Sequence, residues 1–414
     1  MDRAKKEAMI REARKPKAPK DIQVESKNTR VRVILLICSV VVAIVALAIG
    51  FSEAFSTEPG WHTVESGSQT YHCGGEFAMN YHFGASGEDP TDEEKAVKQL
   101  YTQATEDAYR IFYREGQLSQ IQPGKPVKVD PALYAALAQI QSYQNRSIYL
   151  APAYVEYDRI FLATDPQEAA QYDPVQDLEV AAYIAEIARF ANDPAMVDVR
   201  LLEDSTVELV VAKEYADFAR DNAIDCFLDL GWMRNAFIAD FIAKRLQDAG
   251  HTHGYLASYD GYTRNLDTSN LVYSLNLFDR LDNSLDIPAI MDYQGAMSIV
   301  FWRNYPLSSN DRWHYFDFGN GRIASVYLDP ADGSEKSATD NLVSYSTEDG
   351  CAEILLQTAP LYLTEFLDVR ALNDLAGDGI YSIWFEGTKL QKNDPDLQIR
   401  ANPELPDSPY ELSE

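Results

Sequence analysis

The side chains best suited to chemistry in this chain are carboxylates. Asp229, Asp240, Asp329 and Glu353 stand near glycines or at the expected ends of helices. Carboxylate oxygens are hard ligands, suited to a cation such as Mg2+. Each also has a plain structural reading. Asp229 and Asp240 would brace a strand–helix junction. Asp329-Pro330 followed by Gly333 makes a turn in any protein. Glu353 would be a solvated helix residue, and Glu93-Glu94 and Asp165 are expected as solvated surface. Other chemistries lack their motifs. The chain has no CxxC or Cys/His zinc spacing, no GxSxG elbow and no Walker loop.

The elements that must position these carboxylates are readable from their start signals. A strand-like segment runs from Glu76 to Phe83. Asp89-Pro90 opens a helix with acids in its first turn, and Leu100, Ala104, Ala108, Ile111 and Phe112 continue it at helical spacing. Asp130-Pro131 opens a second helix, and a third is expected from Asp177 to Phe190. Thr206–Val211 alternates as a strand, and Asp225–Leu230 reads as a short buried strand. Ile238–Leu246 reads as a helix closed by Gly250. Short strands are expected near Val272–Phe278, Ala296–Phe301 and Ile323–Leu328, and a helix near Cys351–Leu363. Helices and strands mix without a regular βαβ beat, so the fold class is α+β.

Ahead of these elements lies an anchor. Val33–Phe51 runs apolar and uncharged for nineteen residues, about 28 Å as a helix and long enough to span a hydrocarbon core. Residues 1–32 carry eleven Lys and Arg against five acids, a flank that stays cytoplasmic. The expected order is a basic cytoplasmic segment (1–32), a transmembrane helix (33–51), a stalk (52–70), an extracytoplasmic domain (71–395) and an acidic tail (396–414). The whole chain carries a net charge of −28, and without its basic leader the remainder is more acidic still. Such a surface speaks against nucleic acid and anionic lipid as partners. Cys38 falls in the span. Cys73, Cys226 and Cys351 are left outside, as one disulfide and a thiol or as three thiols.

Taken in order, residues 73–395 resemble the ApbE family of FAD:protein FMN transferases, an α+β, T-fold-related domain. Phe77-Ala78-Met79-Asn80-Tyr81 stands where the family has a strand ending in Met-Gly-Thr. Lys125–Asp130 matches its Pro-Val-x-Val step. Asp229–Asp240 aligns without a gap with Asp-Leu-Gly-Gly-Ile-Ala-Lys-Gly-Tyr-Ala-x-Asp. Val326–Gly333 is similar to His-Ile-x-Asp-Pro-x-Thr-Gly, and Ala352–Thr358 to the late Ala-Asp-Ala-Leu-Ser-Thr helix. Glu386-Gly387 resembles its closing hairpin.

The resemblance implies FAD and Mg2+ as cofactors and transfer of FMN to Ser or Thr of a partner protein. It places catalytic roles on Asp229, Asn235 and Asp240. FAD contacts fall on Met79, Tyr81, Gly231, Asp260, Gly261 and Asp329, and metal contacts on Glu353, Gln357 and Thr358. The sequence departs from the pattern where phosphates must be approached. Trp232 replaces the second Gly, Asn235 the Lys and Ala236 the next Gly. Phe301-Trp302-Arg303-Asn304 replaces Thr-Ser-Gly-Asp, and Val326 the His. Trp232, Phe301 and Trp302 read either as core or as a flavin-stacking platform. The expectation is a membrane-anchored protein of this fold with weakened or lost transfer, acting as a binding or scaffold module beside a flavoprotein or redox assembly. An active Mg2+-dependent transferase and a flavin-unrelated envelope protein are the alternatives.

Overall fold

A computed structural model of the chain describes residues 57–281, 284–405 and 409–412. The basic leader, the apolar run 33–51 and the first residues of the expected stalk lie outside them. Among the described residues no helix is long and apolar enough to cross a membrane.

The chain enters on edge strand β1 (Gly60–Val64), antiparallel to β2 (Phe77–Phe83). Alternate residues of β2 are buried: Phe77, Met79, Tyr81 and Phe83. A helical region follows, with α1 (Pro90–Phe112), the short strand β3 (Val127–Lys128), α2 (Pro131–Ser142), α3 (Ala151–Tyr157), α4 (Arg159–Leu162), α5 (Pro166–Ala169) and α6 (Leu178–Asn192). The expected starts are real caps. Asp89 accepts from the N–H groups of Thr91 and Asp92, Asp130 from Ala132, and Asp177 from Glu179 and Val180. Pro90 and Pro131 take the first helical position, where no N–H is needed.

Strands β4 (Val197–Leu202) and β5 (Thr206–Val211) join β3 in a three-stranded sheet, and α7 (Lys213–Asp221) and α8 (Arg234–Asp248) follow. Gly250, at φ +84°, closes α8 as expected: its N–H bonds Gln247 and the next N–H, of His251, bonds Leu246. The chain then lays down β6 (Gly254–Ser258), β7 (Tyr262–Asn265), the hairpin β8 (Val272–Leu281) and β9 (Ser284–Gln294), and β10 (Met297–Arg303). A small ribbon pairs β11 (Tyr315–Asp317) with β12 (Ile323–Ser325). After β13 (Asn341–Ser346) come α9 (Cys351–Tyr362), α10 (Val369–Gly377), the hairpin β14 (Tyr381–Glu386) and β15 (Lys389–Lys392), then β16 (Gln398–Ala401) and β17 (Glu411–Leu412).

The main sheet has nine strands in the order β1-β2-β6-β7-β10-β13-β14-β15-β17. Its centre is buried on both faces, for every residue of β10 and β13 is buried. Val300, Trp302 and Leu342 face the core shared with the helices. Ile299, Phe301 and Val343 face a second core, under the β16-β9-β8 sheet.

Several expectations change. Gly60–Val64, within the expected stalk, is a strand of the main sheet, and residues of the expected acidic tail supply β16 and β17. Asp225–Leu230 forms no strand: Leu228 and Leu230 are buried, but as a loop packed on the core. A short apolar run records burial and not backbone state. Within Ile323–Leu328 the ribbon strand ends at Ser325, and Leu328 makes a single isolated bridge with Glu335. Of the two readings left open for the cysteines, the structure shows the three-thiol one: Cys73, Cys226 and Cys351 are free.

Candidate functional site

The aligned turn from Asp229 to Asn235 lines a cleft of about 340 Å³. Opposite it stand α3 and α4, bringing Tyr154, Asp158 and Arg159. Arg114 enters from beyond α1, Asp260 from the β6–β7 turn, and Trp313 and His314 from the loop before β11.

Local sequence makes the turn. The Asp229 side chain accepts the Gly231 N–H at 3.0 Å, and its other oxygen lies 3.6 Å from Arg114 Nη1. Gly231 has φ +53°, and a Cβ there would sit 2.6 Å from the Tyr154 ring. Only glycine meets both demands. Gly261, at φ +111°, lets β10 approach: a Cβ would lie 2.4 Å from the Phe301 carbonyl oxygen.

Asn235 holds the floor of the cleft. Its amide nitrogen donates to Glu76 Oε2 at 2.9 Å and to Asp260 Oδ2 at 3.0 Å. Glu76 also accepts from Arg234 at 3.1 Å and from the Tyr113 hydroxyl, and the Arg234 guanidinium lies 3.9 Å over the Tyr113 ring. Burial alone would raise Glu76, but Arg234, Tyr113 and Asn235 outweigh it and hold the carboxyl below its ordinary range. Asp260 moves the other way. Burial pushes it up, against the pull of His314, whose Nε2 lies 3.9 Å away. Asp158 stands open at the mouth yet walled by protein. Desolvation, then the neighbouring Asp229, pushes it up to about 7.

Of the expected catalytic residues, Asp229 and Asn235 meet in the cleft and Asp240 does not. Its two oxygens accept the N–H groups of Cys351 and Ala352 at 2.9 and 2.8 Å, and Arg264 pairs with it at 2.9 Å. Asp240 therefore caps α9, whose own N-cap residue, Gly350, has no side chain to do so. Burial raises its carboxyl, opposed by Arg264 and those two N–H groups.

Of the expected cofactor contacts, Gly231 and Asp260 line the cleft, and Gly261 adjoins it as the hinge of the β10 approach. Met79 and Tyr81 point into the core, the Tyr81 hydroxyl bonding Glu93 at 3.1 Å. Asp329 serves its own turn, accepting from the Ala331 N–H and from Lys336 Nζ at 2.7 Å. The expected metal ligands do not converge. Glu353 is held by Gln139 at 2.6 Å, by the Tyr143 hydroxyl and by Gln357 at 3.3 Å. Thr358 is fully buried. It accepts from Trp302 Nε1 at 2.9 Å and donates to the Ile354 carbonyl. Five residues apart on a helix, Glu353 and Thr358 face different sides. Among the described residues no group of three or more His, Cys, Asp or Glu could hold a metal ion.

Trp232 is core. It packs 5.4 Å from Trp302 and 5.8 Å from Tyr327, ring centre to ring centre, and its carbonyl accepts from Tyr262. A pyrophosphate with Mg2+ therefore finds no fit here: the glycine space is filled, Asn235 is bound to carboxylates, and the oxygen ligands are dispersed. Sequence reasoning missed Glu76, Arg114, Asp158, Trp313 and His314 as members of the site. They come from separate parts of the chain, and no local motif flags them.

No protein-family model matches the chain, and no curated protein matches it significantly. Solved structures do. The ApbE protein of Thermotoga maritima aligns with a TM-score of 0.54 at 10% identity, covering 85% of this chain and 100% of that one. The flavin transferase ApbE of Vibrio cholerae gives 0.52 at 11% identity with the same coverage. The likeness at this identity is one of fold, and the domain has an ApbE-like α+β architecture.

Proposed function

We propose that this protein is a membrane-anchored, extracytoplasmic domain of flavin-transferase fold that has given up pyrophosphate chemistry and serves as a binding or scaffold module in a redox assembly. One observation carries the reading. Asn235 stands where the resemblance expects a lysine, and it is clamped between Glu76 and Asp260. Two carboxylates at the expected phosphate position repel a pyrophosphate, and among the described residues no group of acids, His or Cys gathers to hold a neutralising metal ion. Trp232 adds bulk where backbone would have to approach phosphate oxygens.

The partner would be a flavoprotein or another redox protein, reached on the outer side of the membrane. Support for the anchor is the apolar run 33–51 behind its basic flank. External protease on intact cells should remove the domain, and full protection would overturn the orientation. The cofactor reading is tested by titrating the purified chain with FAD and Mg2+. The proposal expects no saturable binding and no FMN transfer to a Ser- or Thr-bearing acceptor peptide. Metal-dependent binding with transfer would establish the enzyme instead.

A further inference from the structure

Asn235 is 2% exposed and lines the cleft, and its orientation is not free. Both neighbours of its amide nitrogen, Glu76 Oε2 and Asp260 Oδ2, are carboxylate oxygens. Turning the amide over would set an acceptor against two acceptors. The nitrogen must face the acids, so the amide oxygen faces elsewhere, and Asn235 Oδ1 has no hydrogen-bond partner in the protein. Leaving a buried acceptor without a donor is unfavourable. It calls for a donor from a ligand.

The charge around that acceptor selects the donor. The guanidiniums that line the cleft are already opposed: Arg234 by Glu76, Arg114 by Asp229 and Glu115, and Arg159 by Glu156. Among the described residues no guanidinium lies at ion-pair distance from Asp158 or Asp260, and Arg234 acts on both only from farther away. Among the described residues the one basic side chain at ion-pair distance from either is His314, whose Nε2 lies 3.9 Å from Asp260. Tyr154, Trp232 and the half-exposed Trp313 supply aromatic surface beside them, the setting in which an organic cation is attracted to ring faces. An acceptor-only ligand such as a phosphate would meet the unpartnered N–H groups of Arg114, Arg234 and Trp232, but it would leave Asn235 Oδ1 unsatisfied and face Asp158, Asp229 and Asp260.

We propose that this cleft binds an alkylammonium group, its N–H donated to Asn235 Oδ1 and its charge balanced by Asp260 and Asp158. The inference rests on the reading that the cleft is not a pyrophosphate site. The ammonium can belong to a free amine or to a lysine side chain of a partner, and the two are separable.

The test is a titration of the purified full-length chain at about pH 8, where free carboxylates are charged and alkylammonium ions remain so. Intrinsic tryptophan fluorescence and the heat of binding are followed with 1,5-diaminopentane, Nα-acetyl-lysine methylamide and uncharged 1,5-pentanediol. The expected result is saturable binding of at least one amine below about 10 mM, weakened at least about tenfold in Asn235→Ala and in Asp260→Asn. Preference for the diamine assigns a free amine, and preference for the lysine derivative assigns a partner side chain. Asp158→Asn, a change at the open mouth that also removes a desolvated charge, should weaken binding without lowering the melting temperature, which separates loss of the site from loss of the fold. The inference is overturned if neither amine binds saturably, if pentanediol binds as well as the amines, or if all three variants bind as the wild type does. Failure of amine binding leaves the reading of the cleft as flavin-free intact. Binding of FAD with Mg2+ would overturn that reading and this inference together.

Discussion

Asn235 Nδ2 lies 3.0 Å from Asp260 Oδ2, a bond between two side chains that are both almost wholly buried. The same nitrogen reaches Glu76, so one neutral amide joins two carboxylates from separate strand ends. The arrangement gathers two acids in a place where the expected pyrophosphate would need the opposite charge.

Replacing Asn235 with leucine should therefore destabilise the fold. Two hydrogen bonds to carboxylates are lost and buried acceptors are left bare, at a cost of about 2–4 kcal/mol. Urea unfolding of wild type and variant measures it. A change under about 0.5 kcal/mol would mean that the clamp contributes little.

The residues that frame this clamp differ in how far the sequence reveals them. Asp229, Gly231 and Asn235 sit in one aligned stretch, and Asp260 and Gly261 in a turn, so a local reading reaches them. Glu76 lies more than 150 positions before Asn235, and Arg114, Asp158 and His314 join only through tertiary packing. The helix starts at Asp89, Asp130 and Asp177 are legible because a cap acts within one turn, reinforced at the first two by a proline. The buried run Asp225–Leu230 was misread as a strand, since hydrophobicity reports burial and leaves the backbone undecided. Asp240 could be read as a brace but not as the cap of a helix beginning 111 positions later.

That assignment of Asp240 predicts a stability effect. Asp240→Ala removes both N–H acceptors at the start of α9 and leaves Arg264 partly buried without its partner. The expected loss is about 2–4 kcal/mol, more than an ordinary cap, because a charge is stranded as well. Denaturant melts of Asp240→Ala and of the double variant with Arg264→Ala check it. The second change should recover part of the loss, and simple additivity would contradict the pairing.

Gly231→Ala should cost about 2 kcal/mol or more, from the left-handed backbone and from contact with the Tyr154 ring. Tyr154→Leu in the same chain should relieve the steric part and leave the backbone part. Thermal unfolding of the single and double variants separates the two.

The two acids of the clamp predict pH dependences of opposite sign. Glu76 is held below its ordinary 4.5, so its contribution is present above that value and is lost as pH falls through the lower folded value. Asp260 is raised above 3.8, so its contribution is present below that pH and fades as pH rises through the folded value. Relative to wild type, Glu76→Gln should lose its disadvantage in acid. Asp260→Asn should gain on wild type as pH rises from about 4 towards neutrality. Unfolding free energies across that range decide the matter, and parallel curves would contradict the assignment.

The most direct test of the central claim is flavin fluorescence during titration of the purified chain with FAD in the presence of Mg2+, followed by dialysis and a search for covalent flavin on an acceptor peptide. An unsaturated, metal-independent signal and an unmodified peptide are expected, in the wild type and in Asn235→Lys alike, since Trp232 and the dispersed oxygen ligands remain. Saturable, Mg2+-dependent binding by the wild type with FMN left on the peptide would contradict it.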